Sequence, residues 1–531
     1  MSKVISAQEA AKLIKDNDVI AATTMGLATF AEEVVASIEE RYLSEHHPKD
    51  ITFIHACGIG NGQEGRGSDH LAHEGLIKRL ISGHTGSSPR MANAVAEGKI
   101  EAYLLPQGTI AQIYRSTAGR KPGVITKVGL GTYVDPRLQG ARVTEKTGED
   151  IIEVIEMDGE EWLRYKNFPV TVGLIRGTTA DENGNLTSEE EVVTMEALAL
   201  ATAVKNNGGI VIAQVKNTAE FGSLHPKRVT VPGALIDYVV VGTEKYHMQT
   251  MGTQYNKALT GDFRVPVNSI KPLPLDARKV IARRAAMELV PNAVINLGIG
   301  MPDGIANVAA EEGVADQLTM TLELGVFGGV PATGLDFGAA YNAEAIVEHT
   351  SMFDFYDGGG LDTTFLGSAQ MDRYGNVNVS QFGKRAVGPG GFINISQNSK
   401  KAVFMGTFTV GSKATVENGK LVILNQGKAK KFLEYVEQVT FSGIYASENN
   451  LPVLFVTERA VFDIKDGLLR LIEIAPGVDL KKDILEWMDF TPLIAEDLKV
   501  MDKAIFQETW GGLKDVIESK KDKVEKQLVK I

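Results

Sequence analysis

Residues 293–313 read AVINLGIGMPDGIANVAAEEG. A short β-branched apolar run ends in a glycine turn at Gly298 and Gly300, and apolar residues at helical spacing follow from Asp303 onward. A buried strand passing through a glycine turn into a helix is the repeating unit of a parallel α/β sheet. Outward from this stretch the same kind of run recurs in VIAATTM (19–25), ITFIHACGIG (51–60), GGIVIAQV (208–215), LIDYVVVG (235–242), KAVFMGTFTV (401–410) and LPVLFVTERAVF (451–462). These runs are short and bounded by glycine or polar residues, as buried strands are. Between them lie AQEAAKLIKD (7–16), AEEVVASIEERYL (31–43), EALALATAVKN (196–206) and DARKVIARRAAMEL (276–289), each with charges opposite an apolar helical face.

The second half repeats the first. Ser6 to Phe30 and Leu275 to Pro302 both read as helix, polar turn, strand and glycine turn. TADENGNLTSEEE around Asp181, Gly184 and Asn185 is echoed by AQMDRYGNVNVSQFG around Asp372, Gly375 and Asn376. The shared D-x-x-G-N predicts a hairpin turn in each half, followed by a buried strand. Pro266, Pro272 and Pro274 interrupt helix and sheet alike near residue 270. The expected organisation is α/β, with two related domains, 1–270 and 271–531, largely parallel sheets, and an active-site cleft between them.

A chain of 531 residues exceeds the size at which one core keeps growing, in keeping with two domains. Its net charge of −12 argues against nucleic acid as a general partner, while leaving room for a local basic patch that binds an anion. Cys57 is the only cysteine, so neither an intrachain disulfide nor a cysteine-rich zinc site can form, and a reducing cytoplasm is expected. No apolar run is long enough to span a bilayer and the N-terminus lacks the apolar core of a signal peptide, so neither a membrane nor export is expected.

The segment DQLTMTLELGVFGGVP (316–331) sets one acid, Glu323, inside an apolar run just before Gly325, Gly328 and Gly329. Two readings stand side by side. Partial desolvation makes such a carboxylate a nucleophile, with the glycines letting a planar thioester approach; alternatively it is a strand-end acid capped by the following amides. In AVGPGGFINISQ (386–397), Gly388, Gly390 and Gly391 offer N–H groups to an oxyanion or phosphate, or merely turn the chain. LGIGMP places Gly298 and Gly300 between strand and helix, as anion-binding turns do, but without the third glycine of a dinucleotide fingerprint. In LLPQGTIAQIYR (104–115) Gln107 follows an apolar run, either facing a cleft or sitting in a plain turn. His70 and His73, three apart on an expected helix in HLAHEGLIKR, are spaced to share a metal, although a packed helix face is the commoner outcome; no metal is expected. No G-x-S-x-G elbow is present.

Taken together, HEGLIKRLISGH (73–84), KPGVITKVGLGTYVDPR (121–137), NNGGIVIAQV (206–215), FDFYDGGGLD (353–362), GGFINISQ (390–397), VTFSGIYA (439–446), TERAVF (457–462), IEIAPGVDL (472–480) and MDFTPLI (488–494) make the whole chain resemble the family I coenzyme A transferases. The similarity is to their single-chain propionate and acetate group, in which two subunits are fused end to end. The resemblance implies that Glu323 is the nucleophile of a ping-pong reaction and that Gln107 and the Gly388–Gly391 loop supply oxyanion donors. It further implies that coenzyme A is a substrate rather than a cofactor, with its pantetheine across the C-terminal half. The partners implied are acyl-CoA and short-chain carboxylic acids, and the assembly a homodimer or homotetramer. The chain departs from the family pattern at Leu324, where Ser, Thr or Asn is usual, at Phe327 in place of Ile, and in the turn containing Met25, Gly26 and Phe30. These apolar changes are expected to reshape the acyl pocket. An acyl-CoA hydrolase in the same cleft and a ligand-binding regulatory protein on a related fold are the competing readings; a nucleophilic carboxylate between glycines argues against the latter.

Overall fold

The computed structural model describes residues 3–266 and 272–521. The boundary expected near residue 270 lies outside the described residues, as does most of the charged tail ESKKDKVEKQLVKI. By packing, the chain forms two compact units. The first comprises 1–265, 322–354 and 380–394, and the second 266–321, 355–379 and 395–531. This division by compactness is a different one from the domains 1–270 and 271–531, which rest on the duplicated pattern.

The first unit holds a sheet whose described strands run in the order Val4–Ile5, Tyr238–Val241, Ile210–Val215, Val172–Arg176, Val19–Ala22, Ile51–His55, Ile77–Ser82, Glu101–Leu104. Every neighbouring pair is parallel. The chain order reverses between Val19–Ala22 and Val172–Arg176, and such a switch point is where open α/β sheets bind ligands, outside the carboxyl ends of their strands. Local sequence starts the first helix. Ser6 caps Ala7–Leu13, its hydroxyl accepting from Glu9 N at 3.1 Å while the Glu9 carboxylate accepts from Ser6 N at 2.8 Å. The core beneath this sheet is built from Ile20, Phe53, Leu80, Leu104 and Leu174, with Val34, Val35 and Ile38 from the helix Glu32–Glu45. Burial of such side chains from both faces is why the strands read as continuous apolar runs.

In the second unit the strands Thr319–Leu322, Val294–Leu297, Thr363–Gly367, Ala402–Met405 and Val453–Val456 lie side by side in parallel, as the opening motif predicts. Ala460–Lys465 and Leu468–Ile474 then continue it antiparallel. Asp276 caps the helix Ala277–Ala286, whose Val280, Ile281 and Ala285 pack with Ile295, Phe365 and Val403 in the core. The D-x-x-G-N turns form in both units. Asp181 Oδ1 accepts from Asn183 N and Asn185 N at 3.0 and 2.9 Å, and Asp372 Oδ1 accepts from Tyr374 N and Asn376 N at 3.0 and 3.1 Å.

One helix expected from sequence is absent. HLAHEGLIKR is a short 3-10 turn, Gly67–Leu71, followed by the strand Ile77–Ser82. His70 and His73 bind opposite oxygens of Glu39 at 2.5 and 2.6 Å, and no cluster of three metal-type ligands occurs among the described residues. None of the described helices is long and apolar enough to cross a membrane.

Candidate active site

The carboxyl ends of the first unit's strands lead straight into the residues of interest. After Val19–Ala22 come Met25 and Gly26, after Ile51–His55 comes Cys57, after Ile77–Ser82 comes His84, and after Glu101–Leu104 comes Gln107. Met25 is buried, and its turn is closed by paired hydrogen bonds with Ala28 at 3.0 and 2.9 Å. Gly26 has φ +64°, donates to Gly58 O at 2.8 Å, and leaves room for Met251, whose Cγ would stand 2.2 Å from a Cβ there. Arg176 fastens this turn from below. It donates to Leu27 O at 3.0 Å and is paired with Glu191 at 2.6 Å, both side chains buried. Burial alone would raise the Glu191 carboxyl, but Arg176 and His247 bring it down to about 2.

Segment 322–354 packs in this same unit. Glu323 and Leu324 occupy the corners of a turn closed by Gly325 N donating to Leu322 O at 3.0 Å. Leu322 and Leu324 are buried in an apolar cluster with Met25, Val192, Met195 and Val326, against which Cys57 packs, while Glu323 is half-buried. Burial, then the charges of Glu323 and Glu196, push the Cys57 thiol well above its ordinary range. Both carboxylates therefore act at Cys57.

The glycines after Glu323 are required by the packing of the chain itself. A Cβ on Gly325, φ +117°, would lie 2.1 Å from Val347 O, and one on Gly329, φ +77°, 2.4 Å from Tyr341 O. Gly328 is covered by the Glu344 side chain. Phe327 is half-buried in a two-residue strand paired with Ala345–Ile346. Leu324, fully buried, adjoins Met25 across Gly338, where a Cβ would fall 2.6 Å from both side chains.

Segment 380–394 belongs to the first unit too. Gly390 N donates to Gly83 O at 2.8 Å, Gly390 O accepts from Gln107 N at 2.9 Å, and Gly388 N donates to Ser380 O at 3.1 Å. The N–H groups of Gly388 and Gly390 are thus bonded to carbonyls, and Pro389 has none to give. Gly391 is buried just before the helix Phe392–Asn398. Gly298 and Gly300 lie in the second unit, after the strand Val294–Leu297. Gly298 N donates to Phe365 O at 2.8 Å, and Gly300, φ +89° and exposed, donates to Asp303 at 3.1 Å.

Gln107 opens the helix Gln107–Ala118 and is buried. Its Nε2 lies 2.9 Å from Nε2 of His349, whose Nδ1 lies 2.6 Å from Glu196. Sequence reasoning passed over Glu196 and His349. They stand 153 residues apart, share no motif, and only the folded chain joins them. Around them, His55 and His84 are pushed down to about 4, His55 by burial and the nearby His84, His84 by burial and Arg385. His55 Nδ1 donates to Cys57 O at 2.7 Å, holding the backbone of the cysteine beside the site.

Comparison with known proteins identifies the family. The family model described as coenzyme A transferase matches residues 4–242. A caffeate CoA-transferase of Acetobacterium woodii is 50% identical over 97% of this chain and 100% of its own. The acetate CoA-transferase YdiF of Escherichia coli O157:H7 is 44% identical over 95% of each chain. A crystal structure of acyl-CoA transferase YdiF from that organism, a thioester complex with CoA, superposes with TM-score 0.90 over 96% of this chain and 97% of its own, at 42% identity. The chain therefore belongs to the coenzyme A transferase family, an enzyme that moves coenzyme A between an acyl-CoA and a carboxylate.

Proposed function

We propose that Glu323 is the nucleophile and that transfer is ping-pong through a glutamyl-CoA thioester. A Glu323 carboxylate oxygen attacks the acyl-CoA carbonyl, and the tetrahedral oxyanion collapses with loss of the CoA thiolate to leave an acyl-glutamyl anhydride. The thiolate attacks the glutamyl carbonyl and expels the first acid, which leaves carrying one oxygen from Glu323. A second carboxylate reverses both steps and departs as the new acyl-CoA. Thioester energy is conserved throughout, so the chemistry needs no nucleotide. The observation that carries this reading is the placement of Glu323, half-buried on a turn between buried Leu322 and Leu324, its charge acting at Cys57 at the carboxyl edge of the sheet. Partial desolvation there raises the reactivity of a carboxylate that bulk water would blunt. Gln107 is the side-chain donor for the oxyanion.

Met25 and Leu324, both packed beside Gly338, and Phe327 nearby in sequence form the acyl pocket in this reading. Acetate and propionate are the first acids to test, and the 50% identical caffeate enzyme favours a second reading in which an aryl-acrylic acid is the partner. Initial rates measured against both substrates test the mechanism: parallel double-reciprocal lines are expected, and intersecting lines would contradict it. Substituting acetate, propionate, butyrate, lactate, acrylate and caffeate as acceptor then separates the two readings of the acid, because the preferred one raises kcat/KM above the rest. Acyl-CoA loss without an acceptor would instead mark a hydrolase. The same reading carries a cytoplasmic location, supported by the single cysteine, and a homodimer or homotetramer, to be checked by light scattering.

A further inference from the structure

The proposed chemistry asks one thing of Gln107: an amide N–H held in the same place each time Glu323 attacks. An isolated glutamine does not provide this, because the two ends of its amide are similar in shape and its last torsion is soft. Gln107 is not isolated. An amide nitrogen only donates, so at 2.9 Å the His349 Nε2 accepts from it; the ring proton then sits on Nδ1 and donates to the Glu196 carboxylate at 2.6 Å. With the ring fixed this way, turning the amide over would oppose its Oε1 to an unprotonated ring nitrogen, two buried acceptors with no proton between them.

Other observations show that the ring is held. Gln107, Glu196 and His349 are all buried. His349 N donates to Met195 O at 3.1 Å, and Met195 is a buried non-glycine residue at φ +51°, a conformation that only its surroundings can enforce. Phe353 packs edge-on against the ring with centroids 5.0 Å apart, in space that exists because residue 108 is glycine, where a Cβ would lie 2.2 Å from the Phe353 ring. Asn394 Oδ1 accepts from Gly108 N at 3.2 Å and fixes the same helix end. Glu196 Oε1 is buried without a hydrogen-bond partner among the described residues. A half-satisfied buried carboxylate is a poor element for stability alone and suits a group kept to hold another.

We propose that Glu196 and His349 are positioning residues which, through the chain from carboxylate to ring to amide, set the end of Gln107 that faces the acyl group. Neither touches substrate, and the inference rests on the reading of Gln107 as oxyanion donor. A double-mutant cycle in the full-length enzyme tests it, with adduct formation at Glu323 followed by mass in every variant. Gln107→Ala is expected to lower kcat by about 100-fold or more. His349→Phe is expected to lower kcat by about tenfold to 100-fold, with the KM for acyl-CoA within about threefold of wild type. Combined with Gln107→Ala it should cost nothing further, because the group it acts through is gone. Glu196→Gln, which keeps the shape of the side chain, repeats the cycle should His349→Phe fail to fold, and the same loss of effect in the Gln107→Ala background is expected. Losses that multiply, or full activity in the folded single variants, would overturn the proposal. If wild type forms no adduct at Glu323, the reading beneath it has failed; if the adduct forms and the losses multiply, only the positioning role has.

Discussion

The two D-x-x-G-N turns of the duplicated halves are built alike, yet the glycine turns that follow the strands Val19–Ala22 and Val294–Leu297 are not. In one half Asn185 Oδ1 accepts from Gly233 N at 2.9 Å, and in the other Asn376 Oδ1 accepts from Gly443 N at 2.9 Å, each in addition to the Asp side-chain bonds. The Met25–Gly26 turn, by contrast, is buried beneath Met251 and fastened by Arg176, whereas Gly300 has open space around it and Ile299 is 64% exposed. A turn held by its own Asp side chain and by the same Asn-to-glycine bond in both halves survives duplication unchanged. A turn at a strand's carboxyl end takes its character from what the rest of the chain lays over it.

The largest effect that sharpens this contrast comes from alanine at the two glycine turns. Gly26→Ala combines a left-handed backbone with a Met251 clash and should destabilise the protein by about 3–4 kcal/mol. Gly300→Ala meets only the backbone term and should cost about 1 kcal/mol. Thermal unfolding of both variants measures this, and equal shifts would break the contrast.

A smaller effect concerns acid. All nine histidines fall in the first unit, and His55 and His84 have folded pKa values near 4, below the ordinary 6.5. The unfolded chain therefore takes up protons that the folded one refuses as pH falls from about 6.5 to 4, and the contribution of these two histidines to stability declines across that window before levelling off. The buried His55 alone should account for about 3 kcal/mol. His55→Gln should flatten the slope of stability against pH between 6.5 and 4; an unchanged slope would contradict the assignment.

The smallest expected effect is a matched pair. Asp181→Ala and Asp372→Ala each strip the same amide donors of their acceptor and should each cost about 2 kcal/mol, within about 1 kcal/mol of one another. Denaturant unfolding that separates them further would show that the two turns are alike only in outline.

Much of this molecule could be read from its residues. Strand runs such as GGIVIAQV and AVINLGIG fold as the parallel strands Ile210–Val215 and Val294–Leu297, because period, β-branching and glycine boundaries are local signals. Glu323 stood out for a local reason as well, a single acid in an apolar run. What was not legible depends on distant chain. Nothing near Gly325 in sequence announces that Val347 will lie against it, and nothing near Gly390 announces Gly83. Glu196 and His349 look like an ordinary helix-start acid and one histidine among nine until the fold sets them 2.6 Å apart. HLAHEGLIKR misled because its apolar spacing suits a helix, while the pairing of Ile77–Ser82 with strands on both sides decides otherwise.

The central claim is the covalent role of Glu323, and the most direct test is the mass of the protein after incubation with acetyl-CoA and then borohydride, with peptide mapping of wild type beside Glu323→Gln. The account predicts reduction of the Glu323 carboxyl to an alcohol in wild type, dependent on acyl-CoA and absent from the variant. An unmodified Glu323 in folded, CoA-binding enzyme would contradict it.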